Sequence, residues 1–336
     1  MSKIWYESSG KDSDVVISTR IRLARNLNNY PFPIRMNIKT KNEVVDLVFD
    51  ALKHTSDAAL SHLRFCRLDE ISRDELISLV DNRVISPEMI SYDIQGKAVV
   101  FDENYNISVM INEEDHIRIQ TIREGEALKE TYELADKIDN LLSEQLEIAF
   151  DEQLGYLTQC PTNLGTGMRC SLMLHLPALM ETGEITRITS NLSKLGITVR
   201  GSHGEGSKVE GAYFQISNQI SLGLSESEAI ANLSALSAQI IEKERNCRKG
   251  LLNNISFEDK VFRALGALKF ARQLSYDEFI DKISYVRLAV AEGKISGIEL
   301  KDVDFLMSHV KLFDTDRDTS LTLRADMVRK GLEAAK

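Results

Sequence analysis

The chain has 336 residues, enough for one large domain with its own core and a smaller second one. A hydrophobic fraction of 43% with 27% charged residues excludes a disordered chain. A formal net charge of -10 argues against binding nucleic acid through a general basic face.

In chain order, residues 1–7 are polar and lack the apolar core of a signal peptide. A polar stretch, 8–14, leads into a short apolar strand candidate, Val15, Val16 and Ile17. Residues 42–58 read as a helix carrying Val45, Leu47, Val48 and Leu52. Residues 97–112 read as a β-hairpin: 98–101 and 107–111 are β-rich, with turn residues 102–104 between them. Residues 126–150 have helical spacing, with Leu134, Ile138, Leu141 and Ile148 on one face. Strand candidates follow at 197–199 and 212–217, then a helix at 226–248. From about residue 256 the pattern is of successive helices. Val261, Leu265 and Leu268 share one face, and Phe279, Ile283, Val286 and Val290 another. Gly293 and Gly297 punctuate this region, and a charged loop, 314–318, precedes a last helix. The change of character places a boundary near Asn253 and Asn254, giving domains 1–253 and 254–336. There is no internal repeat. Hairpin strands mixed with long helices predict an α+β fold rather than a regular βαβ alternation.

The four cysteines, Cys66, Cys160, Cys170 and Cys247, form no Cys-x-x-Cys pair, which argues against a zinc site or a thioredoxin-type motif. No apolar run is long enough to cross a bilayer. A reducing cytoplasm is the expected compartment.

Four groups could carry chemistry. Asn112-Glu113-Glu114-Asp115-His116-Ile117-Arg118 follows a strand. Three adjacent carboxylates repel unless a cation or metal sits close, so the run is either a solvated acidic turn or a site. The run from Cys160 to Arg169 holds one Pro and two Gly among small polar residues. It is a shaped loop whose backbone N–H groups could form an anion nest; Cys160 alone would be an ordinary small apolar residue. Residues 200–208 imitate a phosphate-binding P-loop, but the order Gly-Ser-Lys is wrong and no crossover helix follows directly, so that reading is rejected. Arg20 and Arg22 alternate, so on a strand both point to one side. Two such charges want an anion, either an acidic partner or a phosphate, whose oxygens suit the guanidinium fork. Together the groups supply what phosphoryl transfer needs: arginines for phosphates and carboxylates for the nucleophile.

These blocks resemble the phosphagen kinases, the family of creatine kinase and arginine kinase. The motifs are Asn-Glu-Glu-Asp-His at 112–116, Cys-Pro-Thr-Asn-Leu-Gly-Thr at 160–166 and Arg-Gly-x-x-Gly-Glu at 200–205. The runs 112–120, 155–158 and 204–207 are similar to the bacterial branch that phosphorylates arginine side chains in proteins. The resemblance covers nearly the whole chain. It implies a phosphagen-kinase-type catalytic domain, an antiparallel sheet flanked by helices, followed by a smaller all-helical domain for dimerisation and regulation. It implies that Arg20, Arg22, Arg118, Arg169 and Arg200 hold the phosphates of ATP. Glu114 would orient the guanidinium and accept its proton, with Glu205 as second carboxylate, Asp115 as helper, and Cys160 beside the guanidinium as a thiolate. The nucleotide site it implies further takes in Ser18, Thr19, Ile21, Arg83, Cys170, Ser171, Leu172, Met173, Gly201, Ser202, His203 and Gly204. Mg2+ would be held mainly by the nucleotide phosphates, with no protein ligand.

The resemblance also implies protein substrates, a homodimer, an activator protein and a chaperone-protease partner, with no membrane and no direct nucleic-acid binding. Phosphorylation would mark proteins for degradation or regulate a stress-response repressor. Small-molecule members carry a substantial helical domain before the block that here starts at Ser18. Its absence implies an open site suited to an arginine on a polypeptide. Two departures stand out. Arg83 occupies a position where the branch commonly has a nucleotide-contacting His. The branch's Arg-Asp-x-x-Arg-Ala motif reads here Ala325-Asp326-Met327-Val328-Arg329-Lys330, which puts phosphoarginine sensing through it in question; the alternative is that Asp326 and Arg329 make surface contacts on the final helix. Alternative functions are a kinase for free arginine or another small guanidino compound, and a non-catalytic adaptor for a chaperone-protease.

Overall fold

The computed structural model describes residues 4–53, 60, 62–91, 93–201, 211–310 and 317–336. Its centre is strand β1 (Val16–Arg25), much longer than the three-residue strand expected there. Helix α1 (Ile38–Lys53) starts earlier than the apolar spacing suggests. It is followed by β2 (Leu63–Arg67), α2 (Arg73–Asp81) and the single turn α3 (Pro87–Ile90). Strands β3 (Ala98–Asp102) and β4 (Ile107–Ile111) form the expected hairpin, and β5 (Ile117–Glu124) continues it. Helix α4 (Leu128–Gln145) ends before residue 150. Ile148 keeps helical spacing but pairs with Leu27 in an isolated bridge.

A small ribbon, β6 (Phe150–Asp151) with β7 (Gly155–Tyr156), precedes β8 (Met168–His175). Helices α5 (Pro177–Glu181) and α6 (Ile185–Lys194), strands β9 (Ile197–Gly201) and β10 (Tyr213–Asn218), and the long α7 (Glu226–Leu251) follow. A reciprocal box of Ser225 and Glu228 caps α7, satisfying two of its orphan N–H groups. The remaining helices are α8 (Ile255–Phe270), α9 (Tyr276–Ala291), α10 (Leu300–His309) and α11 (Arg317–Gly331). The charged loop expected at 314–318 lies largely outside the described residues, and α11 already begins at Arg317.

The eight main strands form one antiparallel sheet in the order β2-β3-β4-β5-β1-β8-β10-β9. Its two faces differ in chemistry because side chains alternate along each strand. Ile21, Leu23, Ile119, Leu172 and Leu174 point to one face. There they pack with Val48 of α1, Ile138 of α4, Leu192 of α6 and Leu233 of α7 in the main core. Among the described residues the opposite face is covered only at its ends. Leu76, Leu79 and Met89 of α2 and α3 pack on Val99, Phe101 and Met110 at one side. At the other, α8 to α11 share a cluster with Met173 and Tyr213. Between these two caps the described residues leave the face open as a cleft.

Candidate active site

Cross-strand register decides what lines the cleft, because directly opposed residues share a face. Arg22 on β1 stands opposite Arg169 on β8 and Gln120 on β5. Arg20 stands opposite Ser171 and Ile122. Arg118 is opposite Ala24 on one side and Met110 on the other. Arg200 on β9 is opposite Gln215, which is opposite Met173. All five predicted arginines therefore project from one face, from four strands, and all five line one cleft of about 990 Å³. Arg83 and Glu114 line it too.

Among the described residues, Arg20 and Arg22 make no salt bridge to a carboxylate. Burial, followed by the charges of Arg83, Arg169 and Arg118, lowers the Arg20 pKa to about 9. Burial and the charges of Arg20, Arg118 and Arg169 push that of Arg22 far down. Arginine does not give up its proton under ordinary conditions, so these shifts register like charges held together out of water. An anion of high charge is what such a group of guanidinium forks binds.

The acidic motif begins at Asn112, whose φ of 60° lies in the left-handed region that Asn tolerates. Its N–H donates to the His116 carbonyl at 2.9 Å, closing a tight loop. Its side-chain amide donates to the carbonyls of Lys41 and Gly96. Glu113 accepts from Ser86 Oγ at 2.7 Å and pairs with Arg118 at 2.5 Å. Glu114 pairs more loosely with Arg118, at 3.3 Å, and its side chain is 37% exposed to the cleft. Burial raises the Glu114 pKa; Arg118 opposes this, while Asp115, Glu113 and Glu88 reinforce it. Of the three adjacent carboxylates, Glu114 alone is both in the cleft and loosely held.

Asp115 is turned away from the cleft and fully buried, a position at odds with direct help to the reacting group. Its Oδ1 accepts from Asn26 Nδ2 at 2.7 Å and from the Gln159 N–H at 2.8 Å. It thus ties the acidic loop to the loop that carries Cys160. His116 accepts from the Leu27 N–H at Nδ1 and meets the Pro31 carbonyl at Nε2, which requires the neutral ring protonated at Nε2. Cys160 is half-buried at the head of a short turn, Pro161–Asn163, with Sγ 3.0 Å from Thr162 Oγ1. It does not line the cleft. The loop is shaped as expected by glycine: Gly165 has φ +98°, and a Cβ there would collide with the Ser221 carbonyl.

Several predicted contacts separate from the arginines. Thr19, Ile21, Cys170 and Leu172 alternate onto the core face. Thr19 Oγ1 donates to the Gly125 carbonyl at 2.6 Å, and the other three sit in the main core. Their side chains set the strands' packing rather than meeting a ligand in the cleft. Ser18, Ser171 and Met173 are on the arginine face; Ser171 Oγ accepts from Gln215 and donates to the Arg20 carbonyl. Gly201 ends β9 opposite Phe214. Ser202, His203, Gly204 and Glu205 lie outside the described residues.

Other cleft residues escape the sequence. Gln120 could have been found by continuing the alternation from Arg118. Trp5 and Tyr6 of the N-terminal turn, and Tyr276, Asp304 and Met307 of α9 and α10, also line the cleft and carry no local signal. Among the described residues no group of three His, Cys, Asp or Glu side chains could hold a metal ion, and no helix is long and apolar enough to cross a membrane.

Residues 43–247 match the family described as ATP:guanido phosphotransferase, C-terminal catalytic domain, and residues 254–336 match the protein-arginine kinase McsB C-terminal domain. The chain belongs to the protein-arginine kinase family. A protein-arginine kinase of Brevibacillus brevis is 41% identical, with 99% of this chain and 96% of that protein covered. One from Desulforamulus reducens is 44% identical, over 88% of this chain and 83% of its own. The chain superposes on lombricine kinase with a TM-score of 0.64, at 24% identity, covering 71% of this chain and 68% of that one, which shows the shared fold. As a protein-arginine kinase family member the chain is a phosphotransferase with a phosphagen-kinase catalytic fold. Within that family, Asp326 and Arg329 here pair with each other on α11, and Arg329 also donates to the Ala271 carbonyl at the end of α8, as surface contacts would.

Proposed function

We propose that this protein transfers the γ-phosphate of ATP to the guanidinium of arginine residues in proteins. The observation that supports it most is the convergence of five arginines and the loosely held Glu114 on one cleft. Arg20, Arg22, Arg118, Arg169 and Arg200 neutralise and align the phosphates. Glu114 orients the acceptor guanidinium and takes its proton as the N–P bond forms and the bond from the γ-phosphorus to the bridging oxygen breaks, with ADP leaving. The charged guanidinium has no free lone pair, so a base at its edge is required. Asp115 and His116 position this base and the Cys160 loop. By the family resemblance Glu205 serves as the second carboxylate for the guanidinium and the Cys160 thiol as its neighbour, although Cys160 does not line the cleft here. Mg2+ would be held by the nucleotide phosphates and would supply charge neutralisation there; a donor set of arginines suits that route better than protein ligation. Catalysis of this kind is positioning plus electrostatics.

On the same reading the chain divides into a catalytic domain, 1–253, and a helical domain, 254–336, that pairs two copies. Exposed Ile255, Phe262 and Phe270 on α8 support an apolar contact there. An activator protein and a chaperone-protease partner, a cytoplasmic setting, and a role in protein quality control complete the proposal on family grounds.

The test is incubation with Mg-ATP and an unfolded, arginine-rich protein. Mass spectrometry under non-acidic conditions should find acid-labile phosphate on arginine. Phosphate only on Ser or Thr, or rapid turnover of free L-arginine with proteins unmodified, would overturn the reading. Glu114→Gln should lower kcat by about 10²- to 10⁴-fold, the usual worth of a general base, with ADP binding retained. Full turnover in that variant would remove Glu114 from its role.

A further inference from the structure

The guanidinium groups occupy only part of the cleft. Along β5, Arg118, Gln120 and Ile122 follow one another on the cleft face, and the chemistry passes from cationic to apolar over about 13 Å of strand. At the apolar end Trp5 and Tyr6 pack on Ile122. Trp5 is only 4% exposed, yet it forms part of the cleft wall. Its indole Nε1–H is buried and has no hydrogen-bond partner among the described residues. An indole N–H can only donate, and a buried donor left unpaired is costly, so a ligand acceptor is the natural partner.

A second observation links this wall to the phosphate end. The Arg83 guanidinium lies 5.4 Å from the centroid of the Trp5 ring. Arg83 has a left-handed backbone with φ 61°, and Gln120 Nε2 donates to its carbonyl at 2.6 Å. Gln120 is itself the cross-strand neighbour of Arg22. Arg83 is therefore fixed between the phosphate-binding arginines and an aromatic, apolar recess. A triphosphate held by the former places its organic group at the latter.

We propose that Trp5 is a binding residue for the nucleoside part of the nucleotide: its indole N–H donates to a base nitrogen or ribose oxygen, while its ring face holds Arg83. This rests on the reading of the cleft as a nucleotide site. Trp5 is the chain's only tryptophan, so intrinsic fluorescence reports on this position alone. Titration of the full-length protein with Mg-ADP should change the emission saturably, whereas inorganic tripolyphosphate, which lacks a nucleoside, should not. Calorimetry on Trp5→Phe should show ADP bound about three- to tenfold more weakly, the loss of one hydrogen bond, with tripolyphosphate affinity unchanged. ADP binding without a fluorescence change, an equal change with tripolyphosphate, or unaltered ADP affinity in Trp5→Phe would each overturn the assignment. Failure of ADP to bind the wild type at all would sink the nucleotide reading first, and Trp5 with it. Should Trp5→Phe not fold, the wild-type titrations decide.

Discussion

A carboxylate that accepts a proton works only while it is ionised. Burial holds the Glu114 pKa above the ordinary glutamate value of about 4.3. The acid limb of kcat/KM for phosphotransfer should therefore fall above that value, and Glu114→Asp should move it. A limb that stays put in Glu114→Asp would assign it to another group. Two buried histidines contribute to the acid stability. Burial lowers the pKa of His116, and burial with the charges of Arg287 and Arg248 lowers that of His175 far more. Below the unfolded value of about 6.5 the unfolded chain binds more protons than the folded one, so stability falls as pH drops through that window. Urea midpoints should decline from pH 7 to pH 5, and His116→Gln should flatten the decline. An unchanged slope would mean that His116 takes up its proton without cost. At this scale the sequence is legible wherever a residue type has a single use. Arg20 and Arg22, two apart on a strand, can be read directly. That Asp115 faces inward cannot, because three adjacent carboxylates look alike until the chain's tertiary neighbours are known.

Between residue and molecule lies the tether joining two loops. Asn26 follows the end of β1. Its amide donates to Asp115 and to the Leu157 carbonyl, while its oxygen accepts the His116 N–H. One side chain thus sets the acidic loop against the Cys160 loop. Asn26→Ala leaves a buried carboxylate short of a donor and should cost about 2 kcal/mol of stability, lowering kcat more than the KM for ATP. Thermal unfolding with steady-state kinetics checks both, and an unchanged kcat in a folded variant would deny the tether a role in the site. Among the elements that the sequence conceals are those on either side of β1. β8 is buried on both faces, so no alternation announces it, and the glycines before it dominate the local signal. β5 is masked by the acidic run that leads into it. The hairpin of β3 and β4 stands out because its turn and flanking apolar runs are local features.

Across the whole molecule, α9 and α10 form one wall of the cleft, and buried ion pairs hold them there. Arg287 pairs with Asp304 at 2.7 Å and donates to the carbonyls of Ser13 and Asp14, while Arg248 joins Glu244, Asp14 and Glu292. The helices are thereby tied to the turn that starts β1. ADP at 100 times its Kd should raise stability by about 2.7 kcal/mol through mass action. It should also slow amide exchange in α10 as well as in the sheet. Protection confined to the sheet would exclude the helical wall from the site. Helices from residue 255 onward are plain from apolar spacing, but nothing local in them says that they border a cleft built by strands far upstream.

The order of strands in the sheet also bears on how the protein is made. β1 is synthesised first among the strands and ends at the middle, with partners that begin about 100 and 150 residues later. On the ribosome it must wait with both edges unpaired while those partners emerge at roughly 5–20 residues per second. Arg200 arrives later still, so nucleotide cannot help the early chain to fold. The nascent protein thus spends many seconds as an arginine-bearing, unfolded polypeptide, the same kind of molecule that its finished form is proposed to modify.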